Sequence, residues 1–470
     1  MMGEGGDEAI APSGDISLLQ SPGKSCDPDS ASIVLPEDSC VPYEPYEHRN
    51  VTHPLTYWDA LSHMIKGALG TGILTMPHAF KDSGYLLGFL GTVAIGAFTT
   101  SCIQILVRAQ YELCRRKRIP SLTYPEILGA ALSEGPARFR WLAPYGRGLS
   151  FTAMIVDEIG ALCVYLLFIA SNLSQVCVRF WGVTDLRLYM LVLFPPLLLI
   201  SWVPNLKYIV PFSSSATGVM FVSLAITMYY ILGDFPSFSD RTPVGHLSDL
   251  PLFVGVTLFS LSSIGVTMPL ENEMQHPRQF TARLGVLNVS SAINTTIFAA
   301  FGLLAYLKYG DEVQGSITLN LPQEDTLAVS VKLLLSVSIL FTFALPHFIV
   351  YDIVWNRYLK LRMNKSPSHT ALEYGFRTLI VVITLAFSIL IPNLELFVSL
   401  IGALCMGLMS LGIPAIVDLL TFWHVHTGAF RVWFIFRNVV IILVGCFGTA
   451  TGVYFSIKKI AQVVFHMDNR

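Results

Sequence analysis

Apolar runs long enough to cross ~30 Å of hydrocarbon recur along the chain, separated by polar or charged stretches. At ~20 residues per span they predict about eleven membrane helices. These are 57–80, 84–108, 149–174, 188–204, 208–232, 250–272, 283–308, 326–358, 372–391, 394–421 and 431–456. A basic, partly amphipathic connector occupies 109–147, and a Pro- and Asp-bearing loop runs to about 249. Residues 1–54 are polar, acidic and rich in Gly, Pro and Ser, with no signal-peptide h-region, and read as a disordered tail. The membrane domain is expected over 55–457, with 458–470 as a short C-terminal end.

Composition agrees with this pattern. The 470 residues are 53% hydrophobic and 13% charged, whereas a soluble domain carries ~25% charge. A polytopic membrane protein follows, in contact with the lipid bilayer and not with nucleic acid. The net charge of -2 matters less than where charge is placed. Arg115, Arg116, Lys117, Arg118, Arg138, Arg140 and Arg147 follow the second span. Arg357, Lys360, Arg362, Lys365 and Arg377 follow the eighth. Eleven spans put both groups and the N-terminal tail on one side, cytoplasmic by the positive-inside rule. The opposite loops are acidic, with Asp234, Asp240 and Asp249 in one and Asp311, Glu312, Glu324 and Asp325 in another. The C-terminus is then outer or lumenal. Within the tail, Asp15-Ile16-Ser17-Leu18-Leu19 fits an acidic-dileucine sorting signal. Eight scattered cysteines form no CxxC pair, so neither zinc nor thioredoxin-type chemistry is indicated. Cys177 has no obvious partner in the outer loops. Of the sequons, Asn50 and Asn364 fall on the cytoplasmic side, Asn288 and Asn294 inside a span, and Asn172 at a boundary, which disfavours glycosylation.

Two spans depart from a simple apolar run. In Leu61–Phe80, Gly67, Gly70 and Gly72 interrupt the helix pattern, Pro77 follows, and His63 and Lys66 precede. Such a segment is either a packed or flexible helix or a broken one, tolerated where it lines a cavity or packs on protein. The sixth span carries Ser260-Leu261-Ser262-Ser263-Ile264-Gly265. Thr267-Met268-Pro269 then repeats Thr75-Met76-Pro77 five spans later. An odd offset inverts the second unit, so the pattern predicts inverted repeats at 57–232 and 250–421 and an extra helix at 431–456. Paired breaks in inverted halves mark a secondary transporter with a mid-membrane site. The new helix start near Gly72–Thr75 offers N–H groups to a carboxylate. The sixth-span carbonyls and the Ser260, Ser262 and Ser263 hydroxyls suit an ammonium group or a cation. Together they describe an amino acid. Phe259 is a candidate lid, or ordinary packing. Asp157 and Glu158 lie ~12 Å into the third span, about 100° apart, so at most one is expected to face a cavity. Either binds a proton, binds a cationic substrate or pairs with Lys66; otherwise both sit at the rim near Arg147. Glu271 is expected at the inner end of the sixth span as a structural or gating charge.

These stretches resemble the proton-coupled amino acid transporter family, within the amino acid/auxin permease group. The carriers are His63 through Pro77, with Lys66, Gly67, Gly70, Thr71 and Gly72, and Ile264 through Met274, with Gly265, Pro269, Glu271 and Asn272. Val164-Tyr165, Ser171-Asn172-Leu173, Gly402-Ala403 and Ile413-Pro414-Ala415 support them. The resemblance covers about 55–457. It implies an all-α, LeuT-like 5+5 inverted repeat plus one extra helix, and a proton-coupling role for His63. The adjacent carboxylates Asp157 and Glu158 depart from the family's uncharged pattern. The expected activity is proton-coupled secondary transport of small neutral amino acids by alternating access, with protons as coupling ion and no cofactor. Its expected substrate site is Gly67, Gly70, Thr71, Gly72, Phe259, Ser260, Ser262, Ser263 and Gly265; its proton groups are His63, Asp157 and Glu158. The expected membrane is the plasma membrane or that of the lysosome or late endosome. The alternatives are a sodium-coupled or facilitative carrier, and an amino acid sensor whose tail binds sorting or signalling proteins. HExxH, GxSxG and P-loop motifs are missing, so no enzyme is indicated.

Overall fold

The computed structural model describes residues 43–182, 184–203, 210–233, 241–359 and 369–467. The sorting-type motif at 15–19, Cys26, Cys40, Asp234, Asp240, Lys360, Arg362, Lys365 and Asn364 lie outside the described residues. The described part is nearly all helical; a single bridge, Leu55 to Met274, is its one isolated strand-like pairing.

The first span is two helices, α1 (Tyr57–Ala68) and α2 (Thr71–Ser83). A capping box starts α1: the Thr56 side chain accepts from the Asp59 amide, and Asp59 accepts from the Thr56 amide. At Gly84 the chain turns with φ +80, a conformation open to glycine. It then enters α3 (Tyr85–Lys117). This helix outruns the predicted second span. Arg115, Arg116 and Lys117 form its last turn, where cations oppose the helix dipole. The connector folds as α4 (Tyr124–Glu134) and a 3₁₀ turn, Ala137–Leu142. Spans three to five are α5 (Ala143–Trp181), α6 (Leu186–Ser201) and α7 (Val210–Leu232).

The second unit opens with another split span, α8 (Leu250–Leu261) and α9 (Ile264–Glu273). Then come α10 (Val286–Tyr309), α11 (Thr326–Thr342), α12 (Ala344–Tyr351), α13 (His369–Leu390), α14 (Leu394–Ile401) and α15 (Ile413–Thr421). Wider π turns continue α12 over Asp352–Leu359 and join α14 to α15 over Gly402–Gly412. The last helix, α16 (Gly428–Met467), extends through much of the predicted C-terminal end. Among the described residues nine helical stretches are long and apolar enough to cross a bilayer. The shorter α6 and the α1–α2 pair complete the eleven predicted segments. The tenth span is the innermost, 83% buried over its most apolar window, whereas α16 is 22% buried and lies outside the repeats.

The predicted tail does not extend to residue 54 as a free segment. From Glu44 the chain straps across the end of α9. The Leu55 amide donates to the Glu273 carbonyl at 2.8 Å, and the Gln275 amide donates to Leu55 at 2.9 Å. Arg49 grips both Glu271 oxygens at 3.2 and 3.1 Å, and the Glu271 carbonyl at 2.9 Å. The Arg49 and Glu271 side chains are 6% and 1% exposed. A bidentate guanidinium with a further backbone bond is the geometry that offsets desolvation of such a pair. The Tyr46 ring lies 4.7 Å from the guanidinium, and burial pushes its phenol up from the ordinary range.

Candidate functional site

Both breaks fall where Gly and Ser interrupt the apolar pattern. Gly70, extended at φ -139 and ψ -153, precedes α2 without a side-chain cap. Ser263 precedes α9, again without one. Each start therefore leaves amides unclaimed by side chains, unlike the capped start of α1. The halves pair crosswise: α2 packs on α8 and α1 on α9. A Cβ on Gly72 would lie 2.8 Å from Ser260 Cα, and one on Gly67 would lie 3.1 Å from the Val266 side chain. Ser260 Oγ donates to the Gly72 carbonyl at 3.0 Å, and Thr75 Oγ1 donates to the same oxygen at 2.9 Å. Small residues let the two interrupted spans touch through their backbones.

Beside the second break lies a cavity of about 370 Å³ on the side of the basic connectors. Its volume suits a small ligand. Gly265 opens directly onto it, with nothing within 4 Å of a would-be Cβ. Asp157 and Glu158 of α5 both line it, with Glu273 and Asp352, and among the described residues no Lys, Arg or His does. Asp157 Oδ1 is closed off from solvent and has no hydrogen-bond partner. This corrects the expectation that one carboxylate at most reaches a cavity. The space wraps around α5 from α9 to α12, wide enough to meet two positions 100° apart. Arg147, named in the rim alternative, pairs with Glu126 at 3.3 Å.

Of the expected substrate residues only Gly265 lines this space; the others do not. Ser262 Oγ meets Ser410 Oγ at 3.2 Å. Ser263 is buried and its carbonyl accepts from Thr267. Thr71 is buried and Gly70 has open space around it. Phe259 packs on Gly402 of the tenth span. His63 and Lys66 lie exposed on α1, outside the cavity lining, and Lys66 pairs with neither Asp157 nor Glu158. Asn172 is buried, bonded to the Phe168 carbonyl. Cys177 is a free thiol. Asp352 and Tyr124 are among the lining residues that escaped sequence reasoning. Asp352 is a charge inside the eighth apolar run, a signal that was present. Tyr124, which donates to the Met409 carbonyl at 3.0 Å, lies in the basic, partly amphipathic connector, whose pattern does not mark it as facing a cavity.

A bundle of inverted repeats with both first helices broken is a LeuT-like transporter. The chain belongs to the transmembrane amino acid transporter protein family, whose model matches residues 53–458. It is 35% identical over 429 residues to the proton-coupled amino acid transporter-like protein pathetic of Drosophila melanogaster, covering 91% of this chain and 90% of that one. It is 29% identical to the amino acid transporter ANT1 of Arabidopsis thaliana, covering 84% and 92%. Among solved structures, the inward facing conformation of Mhp1 matches with a TM-score of 0.55 at 12% identity, over 93% and 96% of the two chains. That likeness is one of fold.

Proposed function

We propose that this chain carries small neutral amino acids across a membrane together with protons, by alternating access around the breaks at Leu69–Gly70 and Ser262–Ser263. The carrying observation is the uncapped start of α9 beside a cavity that Gly265 enters and Asp157 and Glu158 line, with the uncapped start of α2 packed on α8 through Gly72 and Ser260. The α2 amides receive the substrate carboxylate. The carbonyls that end α1 and α8 receive its ammonium. Asp157 and Glu158 take the proton, and His63, one turn below Gly67, exchanges it with the basic face. Proton coupling also matches the name of the Drosophila relative. The basic face is then cytoplasmic, and the membrane is the plasma membrane or that of the lysosome or late endosome.

The test is uptake of an amino acid panel into proteoliposomes with and without an inward acid gradient. Small neutral amino acids should accumulate only with the gradient, in sodium-free buffer, and His63→Ala should lose the acid stimulation. Accumulation that requires sodium, or equilibration that ignores pH, overturns proton coupling. Unchanged acid stimulation in His63→Ala removes His63 from the proton path and leaves that role to Asp157 and Glu158 on the basic side.

A further inference from the structure

His63, Asp157 and Glu158 all serve the basic side of the breaks. A proton arriving from the acidic face needs an acceptor there, and none of these three lies on that side. That face holds a polar vestibule of about 1260 Å³ between the end of α2, the 242–249 loop, α14 and α16. His78 and Asp82 lie on its α2 wall and Glu395 on its α14 wall. His78 Nδ1 is closed off from water and makes no hydrogen bond; its nearest acid is Asp82 Oδ2, four residues on, at 3.6 Å. Glu395 lines the same vestibule from the facing repeat, and Lys81 lines it from α2. Lys81 itself reaches the Val313 carbonyl at 3.4 Å. The remaining charged or titratable groups of the vestibule are Asp311, His246, and Asp249 paired to Lys459 at 2.9 Å.

We propose that His78, beside Asp82 in the vestibule that Glu395 also lines, binds the coupled proton from the acidic face. The inference rests on the proton-coupled reading above. A neutral imidazole adds no charge between Asp82 on α2 and Glu395 on α14. An imidazolium is attracted to both, so proton binding draws the repeats together on that face. Closure there accompanies access from the basic side, where the cavity now lies. Because α2 is a single 13-residue helix, His78 and the amides at Thr71–Ile73 move together. Proton arrival and the seating of the substrate carboxylate are thereby linked through one rod.

The test is alanine uptake against pH on the vestibule side, with the other side fixed, at equal amounts of reconstituted carrier verified as monodisperse. His78→Gln should flatten the acid activation at least about tenfold. Glu395→Gln keeps the imidazole and removes one attracting charge, so its activation midpoint should move about one pH unit toward acid. An activation curve in both variants that superimposes on the wild type overturns the inference and leaves proton coupling standing. A wild-type carrier indifferent to pH overturns proton coupling itself. If His78→Gln fails to reconstitute, the Glu395→Gln midpoint decides alone.

Discussion

At the scale of single residues, two glycines of the breaks do opposite work, and the structure separates them. At Gly72 a side chain would meet Ser260 Cα at 2.8 Å and Ser260 Oγ at 3.0 Å. Backbone cannot move aside as a flexible side chain can. Gly72→Val is therefore expected to cost about 1–3 kcal/mol by overpacking, lowering the melting temperature and uptake together. At Gly265 a methyl meets open space. Gly265→Ala is expected to keep the melting temperature, since alanine is the better helix residue, and to raise the KM for small amino acids about tenfold by narrowing the cavity. Thermal melts and uptake kinetics on the two variants check this. A Gly265→Ala carrier with unchanged KM would place the substrate elsewhere. Both glycines were equally visible in the sequence. Which one packs and which one opens was not, because that depends on partners nearly two hundred positions away.

Among elements, the strap from Glu44 to Thr56 shows where sequence reasoning stops. The broken spans were legible, because Gly, Ser and Pro clustered inside an apolar run weaken a helix where no water can satisfy the freed backbone. The strap carries no apolar period, and its composition matches that of a disordered tail. It is ordered by Glu271, 222 positions away, and by the edge of α9. The predicted gating charge is thus engaged by a residue that drew no notice. Removing Arg49 leaves the Glu271 carboxylate buried without a counter-ion, so Arg49→Ala is expected to destabilise the carrier by about 3–5 kcal/mol. Glu271→Gln in the same chain should recover part of that loss by removing the orphaned charge. Detergent melts of the single and double variants decide it. Equal destabilisation in both would mean that Arg49 acts through Tyr46 and Pro120, which it also contacts, and not through charge.

For the whole molecule, the acidic face carries a loop packed on the first repeat, and under alternating access that contact is expected to differ between the two states. The 242–245 loop lies along the junction of α2 and α3. The Tyr85 amide donates to Thr242 at 3.2 Å, Leu86 to Pro243 at 3.0 Å, and the Gly245 amide to Ser83 at 2.7 Å. A side chain on Gly245 would run into the Asp82 carbonyl, so the loop seats only because that residue is glycine. Gly245→Ala should penalise the arrangement closed on the acidic face and leave the alternative open to that face less affected. A penalty within the ~1–3 kcal/mol of overpacking moves a two-state population about tenfold for each 1.4 kcal/mol. The readout is a cysteine at Met154, which lines the basic-side cavity, placed in a chain lacking Cys26 and Cys40 of the N-terminal segment, the half-buried Cys177 and the exposed Cys446. A membrane-impermeant thiol reagent on the basic side should label it readily in the parent and several-fold more slowly with Gly245→Ala. Labelling that stays constant while the melting temperature falls would make the loop a structural brace, and the two faces would then open and close without reference to it.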